Sequence, residues 1–380
     1  MFNFGKTYKY LEKVCGNGFW QIKNILTYGR AIMLVTGTRG VGKSTQVALL
    51  CIYTYVLFKK TCMYIRRRPK ALQKTYKEFF NSAVEIYNDW ANEFNLPPIL
   101  SFRAKDGHYW ICFKLDENEE PLWEEFGAYG ALSEEEDIKS KQSPDTVILI
   151  YDEFISKNEN GYLGTKDNPE AEWIALNSIC VTIDRKKGHA CRNELALFCL
   201  GNKANIYNPI MLSLGVCDFV DPFNTQRFTA PKGRGWVWED VDRVEKTAEL
   251  EESVWVQEAP ESAKAYDYSN QDVNTQASFL KRPEKSSKVI YLATLVFKRE
   301  EYGIYVHTGT GDMYIDNPKP NRYTISMDVG SHGDKDAYLI RNWRQERITM
   351  KLTEAYQYGN LYFKNGKVQN VFLRYLEFTK

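Results

Sequence analysis

Apolar and polar positions change period several times along the chain, and each change marks an element. "AIMLVT" (31–36) is a short apolar run that ends at Gly37, and "KSTQVALLCIYTYVLFKK" follows with helix length and no breaker. "TCMYIRR" (61–67) reads as a strand, and the pattern from Pro69 through "PKALQKTYKEFFNSAVEIYNDWANEF" predicts one long amphipathic helix. "HYWICFKLDENEEPLWEEFGAYGAL" predicts an inserted β-hairpin with a polar turn around Asp116–Glu120. "DTVILIYDEF" (145–154) is an apolar strand closing on acids, "NPEAEWIALNSICVTI" a helix, and "ELALFCLGN" (194–202) another buried strand. Strands alternating with helices, each strand apolar on both faces, predict a parallel α/β sheet covered on both sides.

That alternation fades after about residue 235. Residues 239–272 hold 11 acids against 3 bases and read as an acidic linker or small lid spanning 239–280. Beyond it, "KVIYLATLVFKREEYGIYVHTGTGDMYIDNPKPNRYTISMDVG" supplies four β-rich segments separated by Gly and Asn-Pro turns, followed by mixed structure. The expected organisation is an α/β domain over 1–238, the acidic segment, and a smaller α+β domain over 281–380. Neither an internal repeat nor a low-complexity segment is present.

Composition sharpens this. With 380 residues, 43% apolar and 26% charged, the chain is long enough for two packed cores. No window approaches a membrane span, the best being "VALLCIYTYVLF", and "MFNFGKTYKYLEK" lacks the apolar core of a signal peptide. The eight cysteines show no CxxC pair and several fall in apolar runs, which predicts buried thiols in a reducing compartment. The four histidines lack metal-ligand spacing. Net charge is +1, yet residues 281–380 carry 17 Lys+Arg against 11 Asp+Glu, so a basic C-terminal block faces an acidic remainder. That excess suits a polyanionic partner, and equally a solvated surface.

The chemistry begins at Gly37–Thr38–Arg39–Gly40–Val41–Gly42–Lys43–Ser44, which fits GxxxxGK[ST] between a strand and a helix. Glycines let successive backbone N–H groups curl around phosphate oxygens, and the helix start points its positive dipole end at the same anion. Lys43 is positioned to reach the outer phosphates, Ser44 to ligate Mg²⁺, and Thr45 completes the segment facing the nucleotide. "VILIYDEF" ends on Asp152, the candidate to hold hydrated Mg²⁺, and on Glu153, the candidate to deprotonate the attacking water. A strand-end Asn202 either senses the outer phosphate or simply makes a Gly-Asn turn.

Charge developing in the reaction needs cations beyond Lys43. "VTIDRKKGHACR" offers Arg185, Lys186, Lys187 and Arg192, and "IKSK" offers Lys139 and Lys141. Arg66–Arg68 leave a strand at the ligand-binding edge, where phosphate or DNA contact and a solvated loop are equally open readings.

With these residues in hand the chain resembles the small DNA-packaging ATPases of phi29-type tailed phages, compact relatives of large terminases. The resemblance rests on "TYGRAIMLVTGTRGVGKS", "MYIRRRPKAL", "IKSKQSPDTVILIYDEFI", "CLGNKANIYNPIML" and "GDMYID". It implies an ATPase using ATP and Mg²⁺ in a homo-oligomeric, pentameric ring. Such a ring drives double-stranded DNA through the portal into a procapsid, in the bacterial host cytoplasm at the portal vertex; some relatives use a packaging RNA. It also implies that Lys43 and Ser44 are the Walker A pair and Asp152 and Glu153 the Walker B acids. Arg185 falls on the finger that acts on a neighbour's site, with Arg192 as the alternative, Lys139 on a lysine acting across the same interface, and Asn202 on the strand-end asparagine. The C-terminal domain is implied to be RNase H-like and to have lost nuclease activity. The first β segment there, "KVIYLATLVF", holds no acid, and Asp312, Asp316, Asp328, Asp334 and Asp336 fall mostly at turns. A nucleotide-gated scaffold and a helicase-like P-loop ATPase remain the alternatives.

Overall fold

The computed structural model describes residues 1–241 and 288–372, apart from 17–18, 142, 157–161, 164–169, 186–191, 203–207, 217–218, 220–226, 298–299, 320–325, 330–342, 366–367 and 370–371. Two compact units divide the chain: Met1–Val216 with Gln226–Val273, and Cys217–Thr225 with Asn274–Lys380.

The first unit opens with two short helices, α1 (Tyr8–Cys15) and α2 (Ile22–Leu26), then β1 (Ile32–Gly37), α3 (Lys43–Phe58) and β2 (Thr61–Arg66). Next come α4 (Pro69–Thr75), α5 (Asn81–Ala91), β3 (Ser101–Lys105), β4 (His108–Leu115), β5 (Pro121–Ala131), α6 (Glu135–Ser140) and β6 (Thr146–Asp152). The unit continues with α7 (Ala171–Asp184), β7 (Ala196–Gly201), α8 (Pro209–Ser213), β8 (Phe228–Thr229) and β9 (Trp236–Val241).

Its nine described strands form one sheet in the order β3-β4-β5-β2-β6-β7-β1-β9-β8. From β5 to β9 every pairing is parallel, with antiparallel strands only at the two ends. The C-terminal ends of β1, β2, β6, β7 and β9 therefore share one rim, where ligands bind in open α/β sheets. The parallel strands are near-continuous apolar runs because both faces are covered. α3 is apolar all round for the same reason, Val47 through Tyr53 being fully buried beneath α1, α2 and α5.

Three expectations change. The single helix from Pro69 is two, α4 and α5, broken at residues 76–80. There Phe79 packs on Tyr64 at 4.3 Å and the fully buried Phe80 on Tyr109 at 4.9 Å and Phe126 at 5.0 Å, so aromatic burial overrides continuous helix. The hairpin β4–β5 is present but is no isolated insertion, since β3 adds a third strand and β5 pairs with β2 to extend the main sheet. β9 carries the sheet beyond residue 238, so Glu239, Asp240 and Val241, read as the start of the acidic segment, are buried in a strand beside β1. The rest of that segment, from 242, lies outside the described residues.

The described strands of the second unit form a five-stranded sheet in the order β13-β10-β11-β12-β14. Its strands are β10 (Val289–Phe297), β11 (Glu300–His307), β12 (Met313–Asp316), β13 (Ser326–Val329) and β14 (Leu361–Phe363), with α9 (Trp343–Gln357) before the last. β10, β11 and β12 are antiparallel, while β13 joins β10 and β14 joins β12 in parallel. The four β-rich segments read from the sequence are β10 to β13.

Six cysteines are described as free thiols, with Cys51, Cys62, Cys112 and Cys199 buried. No described helix is long and apolar enough to cross a membrane, and no described cluster of His, Cys, Asp and Glu would hold a metal ion.

Candidate active site

β1 delivers Gly37 to the sheet rim, and the chain turns through Thr38–Gly42 into α3. Gly37 packs so closely against β9 that a Cβ would lie 2.6 Å from the Val241 carbonyl oxygen, which only glycine tolerates. Gly42 caps α3 in the left-handed region at φ 85°. Lys43 then points back into its own loop, donating to the carbonyls of Gly37 at 2.8 Å and Thr38 at 2.7 Å. Lys43 is 8% exposed, and burial pushes its ammonium pKa down to about 7 despite Asp152 and Asp240 nearby; Arg39 lowers it further. Val41 is buried, Arg39 and Gly40 are exposed, and Ser44 and Thr45 are half-buried in the first turn of α3.

This loop fits a Mg²⁺-bound triphosphate. Thr38 Oγ1 is buried with no hydrogen-bond partner among the described residues, and the backbone N–H groups at the start of α3 lack intrahelical acceptors. The buried ammonium beside them, held by two carbonyls, is free to turn to an anion in their place. Ser44 and Asp152 supply the oxygen donors that Mg²⁺ prefers.

β6 brings Asp152 to the same rim, two strands from β1. Its carboxylate Oδ2 accepts from Arg66 Nη1 at 2.6 Å and from Tyr64 OH at 3.0 Å, both on the neighbouring strand β2. Arg66 Nη2 also donates to Glu153 Oε2, so one guanidinium spans both acids. Burial works against the Arg66 charge, but Asp152, Tyr64 and Glu153 outweigh it and hold its pKa above the ordinary value. Glu153 sits at φ 53°, a left-handed conformation uncommon outside glycine, with a side chain 62% exposed. The turn is seated beneath β7: Phe154 N–H donates to Leu200 O at 3.1 Å, and Gly201 leaves room for the Phe154 ring. Asn202 leaves β7 at this rim, half-buried.

Of the open readings for Arg66–Arg68, the solvated loop does not hold for the first two residues. Arg66 is the partner of the acids. Arg67 forks onto Glu172 of α7 at 3.0 and 3.1 Å and donates to Phe154 O at 2.6 Å. Glu172, fully buried, also accepts from Tyr151 OH at 2.7 Å and Leu163 N–H at 3.0 Å. Arg68 alone is exposed.

Asp240 was not singled out by the sequence reading. It sits opposite Thr36 in the β1–β9 register and accepts from Thr36 Oγ1 at 3.1 Å. Its neighbour Glu239 accepts from Trp20 Nε1 at 2.9 Å and from Arg227, which ties the segment before β1 to β9. No motif marks these acids; the apolar run before them in "WVWEDV" is the sole signal.

The remaining predicted cations lie elsewhere. Lys139 is engaged within α6 by Glu135 at 2.5 Å and Glu136 at 3.1 Å. Arg185 caps the C-terminal end of α7 and is exposed. This is the opposite rim, since Asp184 binds the backbone just ahead of β7. Arg192 is there too, donating to backbone carbonyls at the entry to β6. Lys186 and Lys187 lie outside the described residues.

The family model described as podovirus DNA encapsidation protein (Gp16) matches residues 16–379. The chain is 24% identical over 366 residues to the DNA packaging protein of Bacillus phage phi29, covering 93% of this chain and 95% of that one. It is 25% identical over 356 residues to the DNA packaging protein of Bacillus phage B103, covering 91% and 97%. Among solved structures it is similar in fold to a chain of the bacteriophage Phi-29 viral genome packaging motor assembly. That match has a TM-score of 0.64 and 22% identity, over 96% of this chain and 100% of that one. The match of that family model to residues 16–379, nearly the whole chain, makes this protein a member of the podovirus DNA encapsidation (Gp16) family.

Proposed function

We propose that this chain is the ATPase subunit of a viral DNA-packaging motor, hydrolysing ATP to move double-stranded DNA through a portal into a procapsid. The observation that carries it is the meeting of Lys43 and Asp152 at one rim, close enough that the carboxylate opposes the fall in the lysine's pKa. A surface turn with a chance motif would have neither the buried ammonium nor the acids.

In this reading Gly37–Thr45 cradle the phosphates with backbone N–H groups, and Lys43 exchanges its two carbonyl partners for phosphate oxygens. Ser44 and Asp152 hold Mg²⁺, which neutralises charge on the phosphates when bound. Glu153 takes the proton of the attacking water, which requires Arg66 to let go of it. Asn202, at the same rim, is suited to contact the outer phosphate or that water.

Arg185 acts on a neighbour's nucleotide. It is separated from its own Asp152 by the length of a six-residue strand, roughly 20 Å, beyond the reach of an arginine side chain. Lys139 is assigned to the same subunit interface, where it must first leave Glu135 and Glu136. A closed homo-oligomeric ring, a pentamer by the family resemblance, provides such neighbours. The second unit is assigned to contact DNA backbone, the portal or an RNA rather than to cut DNA, because β10 carries no carboxylate.

The test is ATP turnover of the purified protein with duplex DNA and empty procapsids. Turnover stimulated by both, and lost in Lys43→Ala, supports the motor. Stimulation by neither would favour a nucleotide-gated scaffold, and strand separation without procapsids a helicase.

A further inference from the structure

The end of α7, which Arg185 follows, is clamped to the segment before β7. Asp184, 9% exposed, accepts the backbone N–H groups of Asn193 at 2.9 Å, Glu194 at 3.1 Å and Leu195 at 3.2 Å. Arg192 closes the other side. Its own N–H donates to Asp184 O at 2.8 Å. Its guanidinium donates to Ile183 O at 2.9 Å, to Thr146 O at 3.0 Å and to Pro144 O. Those carbonyls belong to the last turn of α7 and to the entry to β6. One planar fork thus ties the helix end to the strand that ends in Asp152. Arg185 is the first residue beyond α7, directly after Asp184, and is exposed.

An arginine whose every nitrogen is turned to its own backbone or buried cannot also reach a neighbour; Arg192 Nε is buried without a partner among the described residues, and Nη1 and Nη2 are engaged. We propose that Arg192 and Asp184 are positioning residues that fix where Arg185 is presented to the adjacent subunit. Arg192 is the support of the finger and not the finger. This rests on Arg185 acting in trans. The physical reason for a clamp is that a cation stabilising charge in a transition state must be preorganised; displacement by ~1 Å costs about 100-fold in rate. Helix ends fray by default, so an unclamped α7 would leave Arg185 spread over such distances.

The defect of a clamp variant is therefore directional. Arg192→Ala subunits should bind MgATP with unchanged affinity, yet lose about 100-fold in turnover when assembled alone with procapsids and DNA. Mixing them with Lys43→Ala subunits, which have dead sites but an intact clamp and Arg185, should restore turnover at the Arg192→Ala sites. Arg192→Lys keeps the charge and part of the carbonyl contacts, and should recover to within about tenfold of the parent. Asp184→Asn should show the same directional defect, and carries the test if Arg192→Ala does not fold. Unchanged turnover in Arg192→Ala overturns the proposal. So does a loss that Lys43→Ala subunits fail to repair while they do repair Arg185→Ala. If Arg185→Ala is not repaired either, the trans reading has failed, and the clamp's role falls with it.

Discussion

Arg66 Nη1 lies 2.6 Å from Asp152 Oδ2 across the β2–β6 pair, and its other terminal nitrogen holds Glu153. Removing this 5%-exposed guanidinium strands two carboxylates at the rim. Arg66→Ala should lower stability of the nucleotide-free protein by about 2–3 kcal/mol, less than a fully buried pair because Asp152 and Glu153 are partly solvated. Urea unfolding of Arg66→Met, Asp152→Asn and the double variant should give a coupling of at least about 1 kcal/mol. Additive losses would mean the contact contributes nothing.

Glu153 owes its place to a left-handed backbone and its present partner to Arg66. Glu153→Gln leaves the phosphate loop untouched, so MgATP affinity should hold while turnover falls by about 10²–10⁴-fold, the usual contribution of a general base. Single-turnover kinetics beside calorimetric binding separates the two. Turnover within a few-fold of the parent would move the base elsewhere.

Lys43 provides the pH dependence. Its pKa of about 7 in the nucleotide-free fold lies below the unfolded value of about 10.4. Between these two values the unfolded chain binds the extra proton, so this group's penalty on stability is full below pH 7 and fades as pH rises. Binding runs the other way. Phosphate oxygens favour the charged ammonium, so MgATP affinity should fall by about tenfold per pH unit above 7, with close to one proton taken up. Calorimetry in two buffers of different ionisation heat reads that proton. Lys43→Met should abolish the uptake, and pH-independent affinity between 7 and 9 would refute the assignment.

Glu172 is the buried charge on which Arg67, Tyr151 and Leu163 converge. Glu172→Gln keeps the volume but leaves Arg67 without a counter-charge, at a cost of about 2–4 kcal/mol in urea unfolding. A change below about 0.5 kcal/mol would show that the network is readily re-satisfied.

Much of the first unit was legible because its signals are local. The run before Gly37, the breaker-free stretch after Lys43 and the apolar runs ending at Asp152 and Gly201 are each decided by neighbours in sequence. The break near Phe79 was not, since helix propensity there yields to a pocket formed by Tyr64, Tyr109 and Phe126 from three other strands. β9 was hidden by its own charges: Glu239 and Asp240 read as solvent-facing, yet are buried against Trp20, Arg227 and Thr36. Arg66 carried a basic-patch signal that gave no hint of its partners.

By itself the sequence determined which chemistry was on offer: the glycine spacing that shapes a phosphate loop, the acids that close an apolar strand, and an α/β order. Only the tertiary structure decided which charges meet. Parallel strands gather residues from Gly37 to Val241 onto one rim, where ion pairs depend on register and burial. The same geometry sends Arg185 and Arg192 to the far rim, because a helix returning from a parallel strand must end where the next strand begins.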